Sequence, residues 1–257
     1  MKNIVFMMDI KLNESEGRYS ASRSESYKYS IASWKKWCIK NNCELFVMSD
    51  LIFPIEKMSI CWQRYYLFEI LDANNIKYDQ ILLVDSDTIV HPETSNFFNF
   101  TMHKFAQAYF DGSWDWVIRS CENYAKHVFN GNMIRWWNYF DCGFMIVNKN
   151  HIDFFNKIKS FYNENRAILI KMQETFHTGT DQTPVNFLTQ INEIECSKFN
   201  YEYNMCDLYR KELLGEDLLF TKAGWIYQFN AIPNQNNYDI TNHYMKKAYE
   251  HFYGELK

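Results

Sequence analysis

Asp85 and Asp87 stand one residue apart at the end of the apolar run Ile81-Leu82-Leu83-Val84, and no other residues of the chain are better placed to do chemistry. Carboxylate oxygens are hard ligands, and a pair of them suits Mn²⁺ or Mg²⁺ carrying a phosphate rather than zinc or copper. On an extended segment, positions i and i+2 point the same way, so Asp85 and Asp87 can converge on one cation while Ser86 faces elsewhere. Carboxyl ends of strands are also where open α/β sheets place their ligands. A site for a divalent cation and a diphosphate is the leading expectation.

Such a pair needs a buried strand to carry it. Residues 3–8 read as a first strand ending at Asp9, and Tyr27, Ile31, Trp34 and Cys38 recur at the spacing of an amphipathic helix near 22–42. A second strand at 45–48, a helix from Trp62 to Leu71 and a third strand at 80–84 follow. This alternation predicts a mostly parallel sheet. Farther on, 116–118, 144–147 and 224–227 are expected strands, and 151–165, 182–191 and 241–252 are expected helices, with a turn at Ile232-Pro233-Asn234. No repeat, linker or composition break interrupts the pattern. One α/β domain spanning 1–257 is expected, with about 1–110 as its nucleotide- and metal-binding half and about 111–257 as its acceptor and sugar half.

Bulk properties narrow the classes. The net charge of −4 gives no whole-molecule attraction to nucleic acid or an anionic membrane. Seven cysteines, an odd count without paired metal-ligand spacing, fit a reducing compartment better than a disulfide framework. The apolar run after Met1 is too short for a signal peptide, and no segment approaches the roughly 18 apolar residues that span a bilayer. A soluble, cytoplasmic protein with no membrane partner is expected. Aromatic residues make up 18 % of the chain, enough to fill the core and still leave platforms for a base or a sugar.

Several further motifs accompany the acidic pair: Asp9 at the first strand's end, Arg23 and Tyr27 heading the first helix, and Trp62 before the acidic strand. Asp141-Cys142-Gly143-Phe144 opens a later strand, and Asp181-Gln182 precedes a helix. In this order they resemble the GT-A-fold glycosyltransferases, the nucleotide-sugar-dependent class with a strand-terminal D-x-D, and above all the retaining galactosyl- and xylosyltransferase types. The resemblance implies a Rossmann-like, mostly parallel central sheet flanked by helices. It also implies transfer of a sugar from a nucleoside-diphosphate sugar, UDP-sugar favoured, to a hydroxyl with retention, assisted by Mn²⁺ or Mg²⁺. On that basis Asp87 is the direct cation ligand, Asp85 is divided between cation and ribose, and Ser86 and Gly143 lie against the donor. Asp9 accepts from uracil or ribose, Asp181 meets donor hydroxyls, and Gln182 lies beneath the reacting carbon. Asp141 is a further sugar contact or, in an inverting reaction, the base.

Residue chemistry leaves several choices open. Arg23 is a candidate for the diphosphate because a guanidinium matches phosphate geometry, with Arg18 and Arg64 as competitors. Tyr27 or Trp62 could stack on the base, although helical spacing also makes both core residues. The resembling enzymes supply a third metal ligand from a histidine near the carboxyl end; here Gln228 stands there, in Tyr227-Gln228-Phe229-Asn230. The Gln228 amide oxygen, His243 or water are the three ways to complete the shell. Asp181 equally suits a helix N-cap.

Two rival functions share the same residues. A HAD-like phosphatase would use Asp85 as its nucleophile, but that arrangement places its acidic strand near the amino terminus and needs a second acidic pair. A non-catalytic nucleotide-sugar-binding protein would keep the fold without turnover. For the acceptor, Trp114, Trp116, Trp136, Trp137 and Tyr139 are the stacking candidates. A glycan, or a hydroxymethylated pyrimidine in viral DNA beside Arg119, Lys126 and Arg135, are the expected classes.

Overall fold

Alternating burial along the strands sets the architecture. The structure, a computed structural model, describes residues 1–11, 21–230 and 238–256, leaving aside the side chains of 21–24 and 238–239. In β1 (Lys2–Met8) Ile4 and Phe6 enter one core while Val5 and Met7 enter another. After α1 (Ala21–Lys40), β2 (Glu44–Met48) and the short helices α2 (Ile60–Gln63) and α3 (Leu67–Ala73), β3 (Tyr78–Val84) repeats the division. Its Ile81 and Leu83 face one side, and Leu82 and Val84 the other. A sheet apolar on both faces must be covered on both.

Two short strands, β4 (Thr88–Val90) and β5 (Phe105–Tyr109), lead to α4 (Trp114–His127), β6 (Phe140–Asn148) and α5 (Ile152–Phe176). Then come α6 (Gln182–Ile191), β7 (Cys196–Phe199), β8 (Ile226–Gln228) and α7 (Tyr238–Tyr253). The six-stranded sheet has the order β2-β1-β3-β6-β5-β7. β1 pairs parallel with β2 and β3, and β5 with β7, while β6 runs against both its neighbours. Because β6 is reversed, its amino end, carrying Asp141, lies at the same sheet edge as the carboxyl end of β3, carrying Asp85. β4 and β8 form a separate antiparallel ribbon, with Thr88 opposite Gln228. A third core, under α1 and α7, fixes that ribbon with Ile89, Tyr227, Phe229 and Tyr249.

The mixed α/β reading and the strands at 3–8, 45–48, 80–84 and 144–147 agree with the structure, as does the helix at 182–191. Residues 116–118 do not form a strand. Ser113 caps a helix there, its hydroxyl accepting from the Trp116 N–H at 3.3 Å, and Val117, Cys121 and Tyr124 line that helix's buried stripe. A β-branched pair was outweighed by an N-cap and a 3.6-residue period. β5 and β7 had no strand signal: Phe-Ala-Gln-Ala-Tyr and Cys-Ser-Lys-Phe contain no β-branched residue and are strands through pairing alone. The expected turn at 232–234 lies outside the described residues.

Trp62 requires a correction. It is 2 % exposed and packs on Tyr65 and Tyr162 at ring separations of 5.8 and 4.7 Å, which leaves no face for a base. Trp62→Ala is expected to cost about 3–5 kcal/mol of stability, as large-to-small core changes do. Urea denaturation reads that loss; a variant of unchanged midpoint with selectively weakened nucleotide binding would restore the stacking role.

Candidate active site

The turn after β3 is pinned from several directions. Ser86 donates its hydroxyl to the Met8 carbonyl, tying the turn to the end of β1. Thr88 Oγ1 donates to the Asp85 carbonyl at 2.7 Å and accepts from the Trp34 indole at 2.9 Å. The Asp87 carbonyl accepts from Phe229 N at 2.8 Å, just past β8. Residues 85–87 therefore form a tight turn between β3 and β4 rather than a continued strand. The i, i+2 argument gives the two carboxylates their common cleft but not their geometry.

That cleft has a volume of about 190 Å³ and is lined by Tyr27, Cys61, Arg64, Asp85, Ser86 and Asp87 with apolar neighbours from β1 and β3. Arg64 forms its inner wall. Its Nη2 meets Asp85 Oδ1 at 2.9 Å, Nη1 donates to the Cys142 carbonyl at 3.0 Å, and Nε lies 3.9 Å from Asp181 Oδ2. Burial works against a charge there, but Asp85 and Asp181 outweigh it and hold the Arg64 pKa well above its ordinary value. Tyr65, the next residue, donates its hydroxyl to Asp181 Oδ2 at 2.8 Å. Burial, with Asp181 beside it, keeps that phenol protonated.

Asp181 occupies the N-cap position of α6 without capping it: no backbone N–H of the helix reaches its side chain. The carboxylate turns toward Arg64 and Tyr65 and also accepts from Thr180 Oγ1 at 2.9 Å. The capping alternative is thereby set aside. Gln182 begins the helix half-buried, its carbonyl accepting from Asn186 Nδ2 at 2.9 Å.

At Asp85 the cleft meets a second cluster, in which Asp85, Asp141 and Gln228 crowd around Gly143. A Cβ there would stand 2.8 Å from Asp85 Oδ2, 2.9 Å from Asp141 Oδ1 and 3.1 Å from Gln228 Nε2. Only glycine leaves that space, and its N–H donates to Asp141 Oδ1 at 2.6 Å. Gln228 Nε2 donates to Asp85 Oδ2 at 2.9 Å, and Gln228 Oε1 accepts from Asn204 Nδ2 at 3.1 Å. Burial, with Asp85 next to it, pushes the Asp141 carboxyl up to about 8, so at neutral pH this acid is protonated.

The remaining expected residues fall in three groups. Asp9 and Tyr27 sit at the cleft end of β1 and α1; burial raises the Asp9 pKa, with Lys11 opposing, and Asp9 Oδ1 is buried without a hydrogen-bond partner. The Arg23 side chain and the whole of Arg18 lie outside the described residues. His243 is not at the site: it is an exposed residue of α7 whose Nε2 lies 2.9 Å from Glu216 Oε1. Among the described residues no group of three or more His, Cys, Asp or Glu side chains is arranged for a metal ion, so any cation shell here must draw on an amide, water or the donor.

Residues not foreseen include Tyr65, Asn204 and Asp111. Asp111 stands two residues past the end of β5, and it is held by Lys211 and by the Cys206 backbone N–H at 3.0 Å. Its signal was a missed strand. Of the aromatic acceptor candidates, Tyr139 is fully buried, Trp116 is half-buried, and Trp114 and Trp137 are 42 % and 56 % exposed on either side of Trp136.

No protein-family model and no curated protein matches the sequence. Solved structures do match. A glycosyltransferase involved in the glycosylation of the major capsid of PBCV-1 is similar with a TM-score of 0.60 at 9 % identity, over 96 % of this chain and all of that one. The WbbM bifunctional glycosyltransferase aligns with a TM-score of 0.54 at 11 % identity, over 99 % of this chain and 50 % of its own. Mouse xyloside xylosyltransferase 1 aligns less closely, at 0.46 and 12 % identity over 90 % of this chain and 98 % of that one. The chain has the GT-A-like fold of such glycosyltransferases.

Asp141 gives a signed pH dependence. Folded, it keeps its proton to about pH 8; unfolded, it loses it near the ordinary aspartate value of about 3.9. Between those limits the native state holds the extra proton, so stability falls as pH rises. Asp141→Asn removes the dependence and still accepts from Gly143. Its stability relative to wild type is expected to improve by about 1 kcal/mol or more between pH 5 and pH 7. Parallel urea curves at the two pH values would refute the raised pKa.

Proposed function

We propose that the chain is a cation-assisted glycosyltransferase that moves a sugar from a nucleoside-diphosphate sugar, UDP-sugar by preference, to a hydroxyl of a glycan. The observation that carries this is the cleft lined by Asp85, Asp87 and Arg64, the last held against Asp181, in a chain with a glycosyltransferase fold. The donor set fits Mn²⁺ or Mg²⁺: Asp85 and Asp87 would offer hard carboxylate oxygens, and the diphosphate and water would supply the others. Asp85 and Asp87 would hold such a cation where it could offset charge developing on a departing diphosphate.

The chain's own residues account for the rest. Asp9, with a buried oxygen lacking a donor, would accept from the base or ribose at the end of β1. Tyr27 closes the cleft beside it. Asp181, made rigid by Arg64 and Tyr65, would accept from donor hydroxyls, and Gln182 would lie beneath the anomeric carbon, where an amide dipole stabilises positive charge. That arrangement supports retention. Asp141 is neutral at pH 7, and a carboxyl that already holds its proton is a poor resting base for an inverting reaction.

Among acceptors the glycan reading is favoured. Exposed Trp114 and Trp137 flank half-buried Trp136 in an aromatic ledge, and Arg119, one of the three cations expected to face DNA, is already paired with Asp115 at 2.8 Å. The matching solved structures are glycosyltransferases, and nothing in the site favours the phosphatase alternative.

Thermal shift with UDP, GDP, CMP and dTDP, each with and without Mn²⁺, tests the reading. Stabilisation is expected only when UDP and Mn²⁺ coincide, by about 2.7 kcal/mol at a hundredfold excess over Kd. Asp87→Ala is expected to remove that stabilisation and to lower sugar transfer by about 100-fold or more, on the order of 3 kcal/mol of transition-state stabilisation. Equal stabilisation by every nucleotide without metal, or full turnover in Asp87→Ala, would overturn it.

A further inference from the structure

The amide end that Gln228 presents to Asp85 is the wrong one for a cation. Its Nε2 donates to Asp85 Oδ2 at 2.9 Å while Arg64 Nη2 meets Oδ1 at 2.9 Å, so both Asp85 oxygens face N–H groups. A divalent ion arriving beside Asp85 would meet the positive end of the amide dipole. Its oxygen points away, toward Asn204 Nδ2 at 3.1 Å. Turning Gln228 alone would set its Nε2 against the Asn204 Nδ2, two donors with no acceptor between them.

Asn204 can resolve this conflict. It is fully buried, and its Oδ1 has no hydrogen-bond partner. Its backbone is fixed on both sides: Asn204 N donates to the Tyr201 carbonyl at 2.9 Å, and Met205 exchanges bonds with Ile226 and Gln228 of β8 at 2.9 and 2.8 Å. Only the side chain is left to turn. If both amides rotate by half a turn, Gln228 Nε2 donates to Asn204 Oδ1, and Gln228 Oε1 swings to the place now held by Nε2, facing Asp85. One hydrogen bond links the pair in either state. β8 is held in register by Thr88 opposite Gln228, so the amide swings about a fixed backbone.

We infer that Asn204 is a positioning residue for a divalent-cation site: the Asn204–Gln228 amide pair turns over as a unit and delivers the Gln228 oxygen beside Asp85. This inference rests on the cation-assisted reading above. It assigns the cation's third protein ligand to an amide whose direction is set by a second, buried amide.

Mn²⁺ binding, followed by the loss of the free-ion EPR signal in the presence of UDP, tests it without reference to turnover. Wild type, N204A, N204D, Q228A, Q228H and the double variant N204A/Q228H are compared, with thermal unfolding of each as a check on folding. In the Gln228 background N204A is expected to weaken Mn²⁺ binding about tenfold, the usual size of an outer-shell effect. N204D, which keeps an acceptor facing Nε2, should bind at least as tightly as wild type. An imidazole needs no partner to turn it, so N204A should be nearly silent when combined with Q228H. Equal losses in both backgrounds, an N204A variant that binds like wild type, or unchanged affinity in Q228A would each overturn the inference while leaving the cation reading intact. A wild-type chain that takes up no Mn²⁺ with any of the four nucleotides would overturn both.

Discussion

The buried ion pair between Arg64 and two carboxylates from distant parts of the chain holds this site in shape. Asp85 closes β3, Asp181 opens α6, and the guanidinium between them is 8 % exposed. A charge taken out of water at that depth is tolerated only with partners of good geometry, and removing one member would leave the others uncompensated. The pair therefore links the end of β3 to the start of α6. Any movement of α6 relative to β3 must stretch the contact to Asp85 or that to Asp181, and the Cys142 carbonyl on β6 holds the guanidinium from a third side. Tyr65 adds a fourth tether from the residue beside Arg64. α2 and α3 are separated by the 3₁₀ turn Arg64–Tyr66, and that break in helical phase lets consecutive residues both aim at Asp181.

Charge balance follows from the same arrangement. Asp85 and Asp181 share the Arg64 guanidinium, and Asp141 avoids becoming a third negative charge beside them by keeping its proton. Two carboxylates crowded around one glycine cannot both ionise cheaply when one is desolvated. Gly143 is the geometric reason for the crowding, since its missing Cβ is what lets Asp85, Asp141 and Gln228 approach one point. A neutral Asp141 can donate a hydrogen bond, a role that an ionised aspartate could not fill.

Much of this was legible in the sequence because it is local. Ile81 to Val84 announces a buried strand, a strand's end announces a ligand edge, and the acids there need no tertiary knowledge to be noticed. The start of α6 was equally plain, although the direction of Asp181 was not: N-cap position and site residue look alike until Tyr65 and Arg64 are in place. What could not be read depends on closure. Gln228 meets Asp85 from 143 residues away, through a ribbon whose strands are three residues each. Asn204 lies in irregular chain and has no pattern of its own. β5 and β7 are strands only because β6 and β5 receive them, so Asp111 just past the end of β5 went unseen. Trp62 shows the opposite error, an aromatic near the site whose 3.6-residue spacing was already the signature of core.

A glutamine where the resembling enzymes place histidine changes more than the ligand atom. Imidazole titrates near pH 6.5, so a site that relies on it loses its cation as the ring takes a proton. An amide has no such titration. It is also a weaker donor to a metal and presents either of two ends, so a glutamine site needs something that chooses the end. Buried polar groups are expected to be satisfied, and Asn204 Oδ1 is not. An unsatisfied acceptor one hydrogen bond away from the amide in question is what a two-position device would leave behind in one of its positions. On the reading proposed above, glutamine at position 228 would exchange a dependence on pH for a dependence on a neighbour's orientation. The full burial of Asn204 is consistent with that role, because exposure would let water supply either partner and erase the preference.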